Sequence, residues 1–395
     1  MTKDTAVVIR NVKIYMENKI VENGCLIAVN NKIQSVYSEQ DNAADFPRDA
    51  LVIDGTGKSL IPGFIDGHIH GANGADVMDG SKVALDAIGQ VLPQEGTTSY
   101  LATTITRPKS EIERAIENVA NYRNKTGCAE IIGIHLEGPF IEKSKAGAQP
   151  IDHILEPDIE LFRKWQKTAK SIIKTVTLAP EHDPNGTFIN YLAQSGVNVS
   201  AGHTKSGFSE MKTAVEFGVK QVTHICNAMT GIHHRDIGVV GAAFQLPDLR
   251  AELIADEIHV SKEMLQLIYD TMGSERLILI TDAMRAKCLE AGRYELGGQP
   301  VTVSNGRVLL DNGVLAGSIL KMRDGVNNML NFPGVTLRDV IQMASVNPAK
   351  QIGVFDKKGS IEIGKDADFL LVDEGLTIYY TICLGIVAYK GEKTQ

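Results

Sequence analysis

The chain has 395 residues, long enough for one large domain and a smaller one around a sizeable core. Hydrophobic residues make up 43% and charged residues 22%, an ordinary composition for a globular protein. The net charge of −8 excludes a general nucleic-acid binder, which needs a basic surface, but leaves room for a local basic pocket. No apolar run has the length of a membrane span, and "MTKDTAVVIRNVKIY" lacks the apolar core of a signal peptide, so the sequence predicts a cytoplasmic protein. Five cysteines, Cys25, Cys128, Cys226, Cys288 and Cys383, are odd in number, widely spaced and without a C-x-x-C pair. They predict buried reduced thiols rather than disulfides or a thiolate metal site.

Taken in chain order, residues 1–60 predict short strands and turns, as in "AVVIRNVKIY", "GCLIAVNNKIQSVYS" and "ALVIDGTGKSLIPG". The middle then alternates. Eight apolar, β-branched runs occur at "LIPGFIDGHIH", "TTSYLATT", "EIIGIHLEG", "SIIKTVTLAPE", "VNVSAGHT", "QVTHICNAM", "RAELIADEIHV" and "RLILITDA". Helix-like stretches such as "KVALDAIGQVLPQEG", "EIERAIENVANYRNK", "DIELFRKWQKTAK" and "FSEMKTAVEFG" lie between most of them. This is the pattern of an α/β protein with a parallel sheet buried on both faces, and eight units predict a (β/α)8 TIM-like barrel. No G-x-G-x-x-G follows the first run, which weakens the open, dinucleotide-binding alternative. From residue 354 onward the β-rich texture returns in "KGSIEIGKDADFLLVDE" and "TIYYTICLGIVAYKG". The predicted division is a barrel over 61–353 and a small β-sandwich domain made of both termini, 1–60 and 354–395.

Polar groups recur at the ends of these runs: His68 and His70 on the first, Glu137 on the third, His203 on the fifth, His224 and Asn227 on the sixth, His259 on the seventh and Asp282 on the eighth. Barrel enzymes assemble their chemistry at the C-terminal rim. His68 and His70 stand two apart on a strand, so both imidazoles face one side and suit a divalent metal. His203 and His224 are placed to hold a second ion, with Glu137 between the two. A buried carboxylate after "LILIT" needs a partner, and beside an activated water Asp282 can accept a proton and pass it on. Its structural alternative is a helix N-cap, since "DAMRAKCLEAG" reads as briefly helical. His135, His153 and His182 read as structural histidines, His135 sharing a face with Glu137. Arg235, in "GIHHRDIG", is a fork for phosphate or carboxylate, with a solvated loop Arg as the alternative.

Together "PGFIDGHIHG", "GTTSYLATT", "GIHLEGPF", "AGAQ", "APE", "AGHT", "THICNAM", "HHRDIG", "ELIADEIHV", "LITDAM", "LAGS" and "NPAKQIGVFDKKGSIEIGKDADFLLVD" resemble the amidohydrolase superfamily, and within it the sugar-phosphate deacetylases. They run in family order across almost the whole chain. The resemblance implies hydrolysis of the acetamide of N-acetylglucosamine 6-phosphate to glucosamine 6-phosphate and acetate, with one or two divalent ions (Zn, Fe, Mn or Co) per subunit. It implies metal ligands at Glu137, His203 and His224, with His68 and His70 matching members that bind a second metal, and the acid/base at Asp282. Substrate contacts fall on Ala148, Asn227, Ala228, Arg235, His259, Leu315, Ala316 and Gly317. A homodimer is implied too, Arg235 reaching the phosphate in the neighbouring subunit. Single-metal relatives carry a His where this chain has Gln149, so a second metal is expected to take over its polarising role. Asp236 and Ile237 stand where relatives often have Glu-Pro. A cyclic-amide hydrolase of the dihydroorotase or hydantoinase kind, which commonly bridges its metals with a carbamylated Lys, and a non-catalytic sugar-phosphate binder are the competing readings.

Overall fold

The computed structural model describes residues 6–38 and 46–391. The eight apolar runs are eight strands: Phe64–Ile69 (β1), Thr97–Thr104 (β2), Glu130–Glu137 (β3), Ile173–Leu178 (β4), Asn198–Ala201 (β5), Val219–Val222 (β6), Arg250–Ile254 (β7) and Leu277–Ile280 (β8). They pair in parallel, each with the next. The ring closes just beyond β8, where the amide of Asp282 donates to the carbonyl of His68 and that of His70 to the carbonyl of Ala283, both at 2.9 Å. A helix follows each strand: Lys82–Val91, Lys109–Asn121, Ile159–Thr168, Thr187–Gln194, Phe208–Phe217, Gly238–Gln245, Lys262–Met272 and Met322–Leu330. The result is a (β/α)8 barrel.

The strands are buried on both faces, but the two faces differ. Residues such as Ile134, Leu136, Val176, Leu178, Val199, Leu253 and Leu279 join helix residues Ile112, Ile116, Trp165, Ile189, Met211 and Leu265 in one apolar core. The alternate residues, facing the barrel axis, are largely polar and bonded to one another. His135 Nε2 lies 2.7 Å from Thr177 Oγ1, which lies 2.8 Å from Thr223 Oγ1, itself 2.6 Å from Ser200 Oγ.

Strands from both ends of the chain share a second, eight-stranded sheet. Its order is Ile386–Lys390, Ile378–Cys383, Phe369–Val372, Ser59–Pro62, Ala6–Tyr15, Ile20–Val29 and Lys32–Ser38, with Leu51–Asp54 also paired to Ala6–Tyr15. Ile9, Ile14, Leu26, Leu60, Phe369 and Ile382 form its apolar core. Thr381 Oγ1 donates to the carbonyl of Pro93 at 2.7 Å and Ser345 Oγ to that of Gly63 at 3.0 Å, bonds that hold this sheet and the C-terminal helical segment against the barrel.

Two local expectations fail and one element is unforeseen. The segment "DAMRAKCLEAG" forms turns and no helix, so Asp282 caps nothing. Cys25 and Cys383 are buried, but Cys128 and Cys226 are only partly so and Cys288 is exposed. Between β8 and its helix the chain inserts a three-stranded meander, Gly292–Leu296, Gln299–Ser304 and Arg307–Leu310, absent from the sequence reading. Its two turns, Gly297-Gly298 and Asn305-Gly306, have φ of 58° and 79°, and 51° and 76°, the left-handed pairs that tight hairpins require.

The loop after β8 is anchored by a buried ion pair. Lys287 Nζ meets Glu95 Oε1 at 2.5 Å, with both side chains at most 3% exposed. Removing one partner of such a pair strands the other charge in the interior. Lys287→Met should therefore cost about 3–5 kcal/mol in chemical denaturation. The double variant Lys287→Met/Glu95→Gln should recover much of that loss. Equal stability of Lys287→Met and wild type would show that the pair is irrelevant.

Candidate metal centre

Six ionisable side chains meet at the mouth of the barrel, each between 0% and 8% exposed: His68, His70, Glu137, His203, His224 and Asp282. They come from the ends of β1, β3, β5, β6 and β8. Three of them sit at left-handed backbone positions two residues beyond a strand end: His203 (φ 48°), His224 (φ 32°) and Asp282 (φ 49°). Such a conformation costs about 1–3 kcal/mol for a residue with a Cβ and occurs where function over-determines the structure.

Glu137 is central. Its Oε1 lies 3.1 Å from His203 Nε2, 3.2 Å from His224 Nε2 and 3.4 Å from His68 Nε2, and its Oε2 lies 3.3 Å from His70 Nε2. Asp282 Oδ1 lies 3.5 Å from His68 Nε2 and 3.3 Å from His70 Nε2. Two groups of three donors thus have ligand atoms close enough to surround one ion each: Glu137, His203 and His224, and His68, His70 and Asp282.

The ring nitrogens turned away from the centre explain why a cation fits. His203 Nδ1 donates to the carbonyl of Lys145 at 2.9 Å, and His68 Nδ1 donates to Glu252 Oε2 at 3.0 Å. Both Nε2 atoms then present lone pairs inward. His203 Nε2 and His224 Nε2 are 3.1 Å apart, and His68 Nε2 is buried without a hydrogen-bond partner. Donor atoms spaced at about 3.0–3.4 Å are what bonds of about 2.1 Å to a single ion subtend.

The charge balance agrees. Burial would raise Glu137, but His68, His203 and His224 outweigh it and hold the carboxyl well below its usual range. Burial likewise opposes ionisation of Asp282, and His68 and His70 override it, bringing the pKa to about 2. Burial pulls His68 down, yet Glu137, Asp282 and Glu252 lift it well above the ordinary value. His70 is desolvated too, but its bonds to Asp282 and Glu137 raise it to about 9. Two buried carboxylates beside these imidazoles thus demand positive charge, which a divalent ion would supply.

The cavity above these groups has a volume of about 310 Å³ and is lined by Ala148, Asn227, Ala228, His259, Leu315 and Gly317 among the expected contacts. Ala316 is fully buried and does not line it. Arg235 is exposed outside the cavity of its own chain, its Nη1 2.8 Å from His234 Nε2. The adjoining Asp236 accepts from the amides of Phe208 at 3.1 Å and Gly238 at 2.8 Å, which pins the loop. Gln149 is engaged at both ends: its Oε1 accepts from the Thr106 amide at 2.8 Å and its Nε2 donates to Glu137 Oε2 at 2.7 Å. His135 lies beneath the site, edge-on to His68 at 4.5 Å between ring centres. Its Nδ1 donates to the carbonyl of Gly67 at 3.1 Å, and burial together with the His68 charge lowers it to about 4. His182 joins Glu142 and Glu156, each at 3.1 Å.

Two residues escaped the sequence reading. Glu252 lies inside the apolar run "RAELIAD" and is 2% exposed. A carboxylate within a buried strand was the available signal. Asp256 precedes His259 by three residues and accepts from its Nδ1 at 2.6 Å, which leaves His259 Nε2 for the cavity.

Residues 59–388 match the amidohydrolase family, and the chain belongs to it. Members of this family are typically dependent on divalent metals. More narrowly, the chain is 42% identical to the N-acetylglucosamine-6-phosphate deacetylase of Bacillus subtilis (strain 168), covering 99% of both chains. It is 37% identical to the N-acetylgalactosamine-6-phosphate deacetylase of Escherichia coli O157:H7, over 85% of this chain and 89% of that one. The crystal structure of N-acetylglucosamine-6-phosphate deacetylase from Pasteurella multocida superposes with a TM-score of 0.87 at 29% identity, covering 96% of this chain and 98% of that one. Among the described residues no helix is long and apolar enough to cross a membrane.

His259 is partly desolvated, but Asp256 outweighs that effect and raises its pKa. The imidazolium form therefore persists to higher pH than in a free His. Asp256→Asn should bring the pKa down, so that the ring loses its proton at lower pH in an NMR titration. An unmoved titration curve would show that Asp256 is not the cause.

Proposed function

We infer that the protein hydrolyses the acetamide of N-acetylglucosamine 6-phosphate to glucosamine 6-phosphate and acetate, using divalent metal. The observation that carries this reading is the placement of Glu137 within 3.4 Å of four imidazole Nε2 atoms, at the floor of a sugar-sized cavity. Glu137, His203 and His224 would hold one ion, His68 and His70 a second, with Glu137 between them. When bound, such a cation supplies Lewis acidity for the amide carbonyl and makes a neighbouring water acidic enough to ionise near neutral pH. Nitrogen and oxygen ligands without thiolate suit Zn, Fe, Mn or Co.

Asp282 takes the proton of the attacking water as the new C–O bond forms, then delivers it to the sugar nitrogen as the C–N bond breaks. His259, held by Asp256, donates from Nε2 to the oxygen on which negative charge develops. Asn227 and the Ala228 backbone position the sugar phosphate, with Arg235 supplied by the neighbouring subunit of a homodimer, while Ala148 and the Leu315–Gly317 turn shape the rest of the cavity. Gln149, occupied at both ends, steadies Glu137 rather than touching the substrate carbonyl. The cytoplasm is the expected site of this activity, since a charged sugar phosphate does not cross a lipid bilayer unaided.

Acetate release from N-acetylglucosamine, its 6-phosphate and the galactose epimer's 6-phosphate, read beside the metal content, tests the whole reading. Asp282→Asn should lower turnover by about 10²–10⁴-fold with metal retained, and near wild-type turnover would remove Asp282 from its role. If a second ion polarises the carbonyl, His68→Asn should impair turnover more than Gln149→Ala. Equal, small effects in the two variants would contradict that assignment.

A further inference from the structure

A line of polar side chains below the metal centre, buried at Glu252, Gln221 and Asn198 and half-buried at Gln351 and Arg250, takes no part in the hydrolysis described above. Glu252 Oε1 accepts from Gln221 Nε2 at 2.7 Å, and Gln221 Oε1 accepts from Asn198 Nδ2 at 3.0 Å. Asn198 Oδ1 accepts from Gln351 Nε2 at 2.6 Å, and Gln351 Oε1 accepts from Arg250 Nη1 at 2.6 Å. Arg250 and Asn198 are the first residues of β7 and β5, so the line starts at the end of the barrel opposite the cavity. It passes through the short helix Asn347–Gln351, then β5 and β6, and returns to β7 two residues beyond Arg250.

The direction of this line is fixed by its ends. A guanidinium only donates and a carboxylate only accepts. Three side-chain amides between them satisfy every bond in a single arrangement, with each NH2 group facing toward Glu252. Only if both end groups could donate and accept alike could the amides reverse. Aligned in this way, their dipoles favour the negative charge on Glu252 and strengthen one another in the low-dielectric interior. Glu252 Oε2 then receives His68 Nδ1 at 3.0 Å and the backbone amide of His224 at 3.3 Å.

We propose that Arg250, Gln351, Asn198 and Gln221 are positioning residues for the metal centre. They hold the Glu252 carboxylate so that it fixes His68 in the tautomer whose Nε2 lone pair faces the cation. None of the four lines the cavity. Partners behind a ligating imidazole set its orientation and basicity and commonly change metal affinity by about 10–100-fold. Here that support would begin at the far face of the barrel. The proposal rests on the reading that His68 and His70 hold an ion.

The test is a Co²⁺ titration of cation-stripped protein against a chromogenic chelator, which counts the ions bound and their affinities. Asn198→Asp keeps the size of the side chain but loses its donor, so Gln221 must turn its NH2 group away from Glu252. Its ion at His68 and His70 should weaken by about 10–100-fold while the ion of Glu137, His203 and His224 stays bound. Arg250→Met should act in the same direction and Arg250→Lys, which keeps a donor, should restore much of the affinity. Val199→Ala removes core packing beside Asn198 on the outer face of the same strand, and should lower the melting temperature without loosening either ion. Wild-type affinity in Asn198→Asp, or an equal loss in Val199→Ala, would overturn the positioning role alone. Uptake of a single ion by the wild-type protein would overturn the two-ion reading, and the proposal with it.

Discussion

A carboxylate out of water is stable only where positive charge or hydrogen-bond donors surround it. Glu137 meets that requirement by standing among four imidazole edges, three of them on one oxygen. Around it the barrel makes two unusual concessions. Three strand ends turn into left-handed backbone so that His203, His224 and Asp282 project inward, and four imidazole edges are gathered about one buried carboxylate. Both are local costs, sustained because eight strands and eight helices fix the positions of the strand ends more firmly than any one loop could.

The same logic extends downward. Barrel interiors are usually filled with branched apolar side chains. This one is largely polar under the site, and its side chains bond in two lines: hydroxyls run from His135 through Thr177 and Thr223 to Ser200, and amides from Glu252 to Arg250. Buried polar groups of this kind add little net stability when satisfied but are costly when broken, so they favour one register of the strands over its neighbours. The apolar outer faces supply the packing against the helices, and the polar inner faces discriminate between alignments.

How much of this was legible in the sequence follows from the range of each interaction. The eight runs, most helices and the six convergent ionisable residues could be read because strand ends in a barrel have a fixed fate: whatever stands there faces the mouth. The partner of each group could not. Glu252 meets His68 across 184 positions, and Lys287 meets Glu95 across 192, and no spacing rule links residues so far apart. Gln149 read only as the place where the polarising His of single-metal relatives is missing, and its bonds to Thr106 and Glu137 had no sequence signal. The meander had its two-residue turn signals in plain view, but its strands are short and sit where an α/β pattern calls for a helix. The alternative role of Asp282 as a helix cap falls away because "DAMRAKCLEAG" forms turns rather than a helix.

That seam has a consequence for how the protein comes together. Strands one and eight are joined at the very residues that flank the cavity, by the amides of Asp282 and His70. Asp282 reaches the mouth only through this joint, where its side chain stands 3.5 Å from His68 and 3.3 Å from His70. Closing the ring and seating the carboxylate that faces His68 and His70 are therefore one and the same set of contacts, so a loosened seam would open the barrel wall and unseat Asp282 together.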